Sequence, residues 1–439
     1  MSSVVTLPKE DNRLRVEDRA AHDWYRFVLS YPAHLVRDYI SRFEVDPDGL
    51  VLDPFCGTGT TLVECKKLGI QSVGIESNPM ASFASRVKVD WSIDPKGLVE
   101  HADQISKRTW EKLDAVGISD SPHLPLFTTE RKRVNADLRS LPEEQSKLLL
   151  KDSISALPLH KTLVLIETLN EEHDNAFSQH EKLALAKAIV SGISNLHFGP
   201  EVGVGPPKHD APVVQTWLNC VRRIAEDLRK LRPIDDMRAT VKTGDSRELL
   251  GLLQPNSVDA VITSPPYPNE KDYTRTTRLE SVLLGFISNK HDLRMLKKNL
   301  LRSNTRGVYK ADTDDQLVEN NREVQRIANE IEARRIELGK TSGFERMYAR
   351  VTKLYFGGMK RHLSDLRTVL RPGAHLGYVV GDQASYLRIM IKTGEILADI
   401  AKSLGYEVLD IDLFRTRLST ATKEQLREEI VLLKWPGSH

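Results

Sequence analysis

The sequence predicts an α/β protein, a doubly wound and mostly parallel sheet broken by two mostly helical insertions. Three observations predict it. A strand–turn–helix–strand unit occupies residues 49–76, a second strand-rich block begins at residue 239, and long charged stretches without strand signals separate such blocks. A strand, a glycine turn, a helix and a second strand in that order form a parallel crossover, the building unit of doubly wound sheets.

In chain order, Leu50-Val51-Leu52 reads as a buried strand that runs into the turn Asp53-Pro54-Phe55-Cys56-Gly57-Thr58-Gly59. Thr60 and Thr61 suit a helix start, and Leu62, Val63, Cys65 and Leu68 give an apolar helical face that Gly69 ends. Ser72-Val73-Gly74-Ile75 is the second strand, closed by Glu76. Further on, Ala239–Thr243 is a strand leading into Gly244-Asp245-Ser246, and Val258–Thr263 is a buried strand ending at Ser264. Residues 363–370 read as a helix, Arg371-Pro372-Gly373 as a turn and His375–Val380 as a strand; 406–411 and 428–433 read as a terminal strand pair. One core in three parts follows (residues 1–95, 236–284 and 351–439), with helical insertions at 96–235 and 285–350. The Pro/Gly-rich stretch 199–207 reads as a loop, a surface excursion or lid.

Bulk properties bound the function. A chain of 439 residues, 40% hydrophobic and 28% charged, suits a globular protein of two or three domains. No apolar run reaches membrane-span length, and residues 1–20 hold no leader-like apolar core, so a cytoplasmic location is expected. Cys56, Cys65 and Cys220 lack metal-ligand spacing, so neither a disulfide nor a metal site is expected. The net charge of +2 leaves any polyanion contact to local clusters.

Gly57 and Gly59 remove Cβ atoms where a ligand meets the backbone, and amides at the helix start offer donors to an anionic group. Glu76, ending the second strand, is placed to accept two ribose hydroxyls. A dinucleotide would want a third glycine, and Leu62 stands there instead. Asp53 would repel a pyrophosphate yet attract a methionine ammonium. A sulfonium nucleoside fits better than a nicotinamide cofactor.

Ser264-Pro265-Pro266-Tyr267 ends a buried strand, where open α/β sheets build their sites. Two prolines fix φ and remove two donors, leaving carbonyls free to accept. An exocyclic base amine is a poor nucleophile because its lone pair is delocalised into the ring. Acceptance of its two hydrogens by the Ser264 hydroxyl and the Pro265 carbonyl would free that lone pair for a methyl group, with Tyr267 stacked on the base. Such a base must be flipped out of its duplex.

These motifs resemble those of the bacterial amino-group DNA methyltransferases, the N4-cytosine and N6-adenine enzymes of restriction–modification systems. Asp53 to Thr60 is similar to their S-adenosylmethionine motif, and Thr263-Ser264-Pro265-Pro266-Tyr267 to their catalytic motif. The resemblance covers about residues 22–90, 240–282 and 360–436. It implies a Rossmann-like S-adenosylmethionine-dependent sheet, with Asp53, Pro54, Phe55, Gly57, Thr58, Gly59, Thr60 and Glu76 at the cofactor. It also implies that Asp245 contacts the adenine amino group, and that Pro32 and Leu35 begin a helix closing on the methionine end. Double-stranded DNA is the implied substrate and a restriction endonuclease the implied partner. One departure stands out. About 150 residues separate the Glu76 strand from the Asp245 strand, and the chain stops just after the last core strand, so the insertions are expected to read the target.

Covalent C5-cytosine chemistry needs a cysteine, usually after a proline, and no Pro-Cys occurs. In the resembled family a serine before the prolines leans toward cytosine N4, with adenine N6 the alternative. An RNA-base or protein-glutamine methyltransferase, a nicotinamide-dependent oxidoreductase and a catalytically silent DNA-binding subunit are the other readings. Between Lys290 and Lys310 seven basic residues face one acid. Lys297, Lys298, Arg302 and Arg306 there, with Arg275 and Arg278 after the catalytic turn, are the expected DNA contacts. His22, His34, His209 and His375, like Trp24 and Tyr25, read as structural.

Overall fold

In a computed structural model, residues 14–26, 30–120, 137–199, 201–235, 237–269, 271–418 and 425–437 are described; residues 1–13, most of the N-terminal stretch read for a leader, lie outside these. Seven strands form one sheet: β1 (Leu50–Asp53), β2 (Gln71–Glu76), β5 (Ala239–Thr243), β6 (Val258–Thr263), β7 (Leu370–Gly381), β8 (Glu407–Leu418) and β9 (Gln425–Lys434). Their spatial order is β5-β2-β1-β6-β7-β9-β8. Neighbours from β5 to β7 pair in parallel, whereas β9 runs antiparallel between β7 and β8. The sheet is α/β, mostly parallel and Rossmann-like.

Alternate strand residues serve opposite faces. Val261, Leu376 and Val431 pack with the Tyr348–Leu366 helix through Phe356 and Met359, and with the Thr393–Ser403 helix through Ile396 and Leu397. Ala260, Ile262, Val379 and Ile430 face the Ala33–Arg42 helix through Leu35, Val36, Tyr39 and Ile40. Each central strand is thus covered on both sides, which is why it reads as a continuous apolar run.

Between β2 and β5 lie the helices Pro79–Lys88, Pro95–Ala115, Ala156–Glu171, Ser178–Ala188 and Val213–Leu231, plus a small antiparallel hairpin of β3 (Leu196–Phe198) and β4 (Val202–Val204). The hairpin corrects the loop reading of 199–207. Its strands are only three residues long and glycine-punctuated, too short for an alternation signal. Between β6 and β7 lie, among others, the helices Lys290–Asn299 and Arg322–Glu337.

A second correction concerns Arg371-Pro372-Gly373, expected as a turn and found inside β7. The pairing with β6 shifts register between Val258 and Ala260, and Gly373, at φ +91°, gives its N–H to the Trp435 carbonyl at 2.7 Å. An irregular strand start absorbs the proline and glycine that ordinarily mark a break. The preceding helix stops at Leu366 rather than running to 370.

The chain leaves β1 for β2 on one side, and β6 lies on the other, so the carboxyl ends of β1 and β6 flank a topological switch point. Ligands of open α/β sheets bind there.

Candidate active site

A cleft of about 460 Å³ opens at that point. Its walls come from the turn after β1, the end of β2, Ser246 after β5, the Ser264–Tyr267 turn after β6, and the far ends of β7, β8 and β9. Of the expected residues, Pro32, Pro54, Phe55, Gly57, Thr58, Thr60, Glu76, Ser264, Pro265, Pro266, Tyr267, Lys297 and Arg302 line it.

The cofactor loop is held from behind. Gly59 takes φ +83°, and a Cβ there would meet the Ser85 hydroxyl at 2.8 Å. Ser85 donates to the Gly57 carbonyl at 3.0 Å and the buried Lys88 ammonium to the Thr58 carbonyl at 2.7 Å. The Glu76 carboxyl accepts the amides of Gly57 at 2.8 Å and Asn78 at 2.7 Å. Burial nevertheless pushes Glu76 up to about 7. The Thr58 hydroxyl is buried and has no protein partner among the described residues. Phe55 meets the His362 ring edge-on at 5.0 Å, and His362 bridges the Ser246 carbonyl and the Tyr378 hydroxyl, both at 2.7 Å. Burial holds His362 down to about 4, so the imidazole is neutral.

Asp53 lies behind the wall rather than on it. Fully buried, it accepts from Thr263 at 2.6 Å, Thr61 at 2.8 Å, Tyr31 at 3.1 Å and the Phe55 amide at 3.1 Å. Burial raises it to about 6 in spite of these bonds. The carboxylate expected to face a ligand therefore ties the end of β1 to the end of β6. The Thr61 hydroxyl also lies 3.1 Å from the Ile262 carbonyl, which shares its one hydrogen with Asp53 at the same joint.

At the other end of the cleft the Ser264 hydroxyl donates to the Val379 carbonyl at 3.1 Å, leaving its oxygen lone pairs as acceptors. The Tyr267 ring lies against β7, where a Cβ on Gly381 would stand 2.9 Å from it. Burial raises the phenol of Tyr267, with the nearby Glu428 adding to the rise and the Ser264 hydroxyl, then Arg415, opposing it.

Asp245 is turned from the cleft. Its carboxylate holds Arg247 at 2.6 and 2.9 Å and lines a separate concavity, while its neighbour Ser246 reaches the main one. Two basic residues expected at DNA are structural instead. Arg278 is 8% exposed and bonds Leu148 and Thr274; Arg302 is 5% exposed and holds Asp312 with several backbone carbonyls. Lys298 and Arg306 are exposed, Lys297 pairs with Asp272 at 2.9 Å, and half-buried Arg275 lies beside the β3–β4 hairpin. His362, Tyr31, Gln383, Arg415, Arg417 and Glu428 complete the site without having been singled out. Arg415 and Arg417 alternate on β8 beyond residue 411, where the expected strand stopped.

Among the described residues no group of three or more His, Cys, Asp or Glu could hold a metal ion, and no helix is long and apolar enough to cross a membrane.

A DNA methylase family model, for N6 and N4 methylases, matches residues 9–82. The chain is 25% identical to the type II methyltransferase M.BsoBI of Geobacillus stearothermophilus, over 96% of this chain and 86% of that protein. It is 23% identical to the type II methyltransferase M.AvaI of Nostoc sp., over 93% and 83%. A shorter similarity, 36% over 52 residues, covers 12% of this chain and 10% of the type II methyltransferase M.MjaII of Methanocaldococcus jannaschii.

Proposed function

We infer that this chain, an amino-group DNA methyltransferase of the restriction–modification kind, moves the methyl group of S-adenosylmethionine to N4 of a flipped cytosine. The observation that carries the reading is the joint at Asp53. Through Thr263 it fixes the cofactor loop and the Ser264–Tyr267 turn at opposite ends of one cleft.

The loop fits the cofactor. It has a backbone cradle at Gly57 to Gly59, an orphaned Thr58 hydroxyl, and in Glu76 an acceptor for ribose hydroxyls. When bound, S-adenosylmethionine supplies a sulfonium methyl open to in-line displacement. Ser264 presents oxygen lone pairs to one N–H of the amine, and the Pro265 carbonyl accepts the other. Tyr267, seated on Gly381, gives the base a stacking face. Orientation and these hydrogen bonds carry the catalysis. No thiol is poised for a covalent route, since burial pushes Cys56, Cys65 and Cys220 up from the ordinary thiol range.

Ser264 supports cytosine N4 over adenine N6, by the family tendency of this position. The segments 96–235 and 285–350 are the proposed readers of the target, with Arg275, Lys297, Lys298 and Arg306 at the phosphates. A nuclease cutting the unmethylated target is the proposed partner, and the bacterial cytoplasm the proposed location. Incubation with labelled S-adenosylmethionine and unmethylated genomic DNA, then nucleoside analysis, tests the reading. N4-methylcytosine is expected, and N6-methyladenine would overturn the base assignment. Ser264→Ala and Tyr267→Ala should each lose most transfer while binding the cofactor near normally; wild-type turnover in either would overturn the site.

A further inference from the structure

The cleft has a third wall that the amine chemistry leaves unused. At the carboxyl end of β7, Gly381 lies in register with Glu428 of β9, and Glu428 with Arg415 of β8. Arg415 donates through Nε to the Glu428 carboxylate at 2.5 Å, and Arg417 Nε lies 3.4 Å from its other oxygen. The two arginines differ in what remains. Arg417 also donates an Nη to the Asp382 carbonyl at 3.4 Å. Neither Nη of Arg415 has a hydrogen-bond partner among the described residues, its side chain is 37% exposed, and it lines the cleft together with Ser264 and Tyr267. Position and distance join these groups. A Cβ on Gly381 would touch both the Tyr267 ring, at 2.9 Å, and Glu428 Cγ, at 3.2 Å, so the carboxylate that holds Arg415 borders the tyrosine face.

A base with its amine at Ser264 and Pro265 carries its remaining Watson–Crick atoms past the same corner. Cytosine offers N3 and O2, two adjacent acceptors beside N4. Adenine offers N1 followed by a C–H. A guanidinium held by a carboxylate at Nε presents its Nη donors as a rigid planar fork, matched to paired acceptors and mismatched to a lone one. We propose that Arg415, anchored by Glu428, reads N3 and O2 of the flipped cytosine and so sets the base specificity of the site. This rests on the cytosine-N4 reading above and gives it a structural determinant independent of Ser264.

The test uses the full chain. The methylated position is first mapped in genomic DNA treated with wild-type protein. Duplexes are then made with cytosine or 3-deazacytosine, which lacks the N3 acceptor, at that position. Wild type should lose on the order of ten- to one-hundred-fold in single-turnover rate on the analogue, the scale of a bidentate base contact. R415A should be slow on cytosine and lose less than about threefold more on the analogue, with R415K intermediate. Calorimetric S-adenosylmethionine affinity and circular dichroism establish that each variant is folded. Equal wild-type rates on the two duplexes overturn the proposal whatever the variants do, as does an R415A or R415K that keeps the full wild-type loss. N6-methyladenine as the wild-type product overturns the cytosine reading and this proposal together, whereas N4-methylcytosine with an undiminished analogue effect in the variants overturns Arg415 alone.

Discussion

Gly381 shows how far one missing side chain shapes the site. Gly381→Ala would drive a methyl group into the Tyr267 ring and toward Glu428, so transfer should fall at least about tenfold while cofactor affinity holds. Single-turnover rates beside calorimetry check this. Glu76 predicts a pH dependence. Its folded value near 7 exceeds the ordinary 4.5, so the native state keeps a proton that the unfolded chain has released. That contribution to stability is present at low pH and lost as pH rises through this window. Cofactor hydroxyls prefer the ionised carboxylate, so affinity should rise with pH to about 7 and then level off. Calorimetry from about pH 5.5 to about 8.5 reads this, and Glu76→Gln should flatten it. Several residues were legible by type but not by direction. Asp53 was visible as an acid at a strand end, yet Thr263, which turns it inward, lies 210 positions away. Arg278 and Arg302 sit among exposed cations in the sequence, and nothing local marks them as buried.

Among elements, β1, β2 and β6 were legible because buried parallel strands are short apolar runs bounded by turn residues; β5, a half-buried edge strand, was legible from Thr240, Val241 and Thr243 ahead of Gly244. The start of β7 was not, since proline and glycine signal a break unless a strand is irregular, and the extent of β8 was masked by its exposed charged residues. What joins the legible elements is invisible to periodicity. Thr263→Val, nearly isosteric, removes one donor from a fully buried carboxylate and should cost about 1–3 kcal/mol in urea unfolding. Because the bond joins β1 to β6, cofactor affinity and transfer should fall together. Loss of transfer with unchanged affinity would show that the joint serves only the catalytic turn.

For the whole molecule, buried and exposed cations make opposite predictions. Changing Lys298 and Arg306 to alanine should lower the salt slope of DNA binding by about 2, near 0.9 per lost phosphate contact, without altering the melting temperature. Arg278→Ala should leave that slope intact and destabilise the fold by about 3 kcal/mol, because it removes charge-assisted bonds to Leu148 and Thr274. A reversed outcome would move the DNA surface to the other face. The doubly wound core was legible at this scale. The position of the last strand was not, since pairing order is a property of the closed sheet.

That last strand carries a temporal consequence. β9 is synthesised after both of its neighbours yet lies between them, so a growing chain holds β7 and β8 with facing edges unpaired until residues 425–434 emerge from the ribosome. Such non-local pairing is slow and leaves strand edges open to aggregation meanwhile. Glu428 arrives with β9, so a nascent chain can already fold its cofactor loop and its proline turn while the arginine wall still lacks its anchor. Translation itself therefore delays the complete site until β9 has been made.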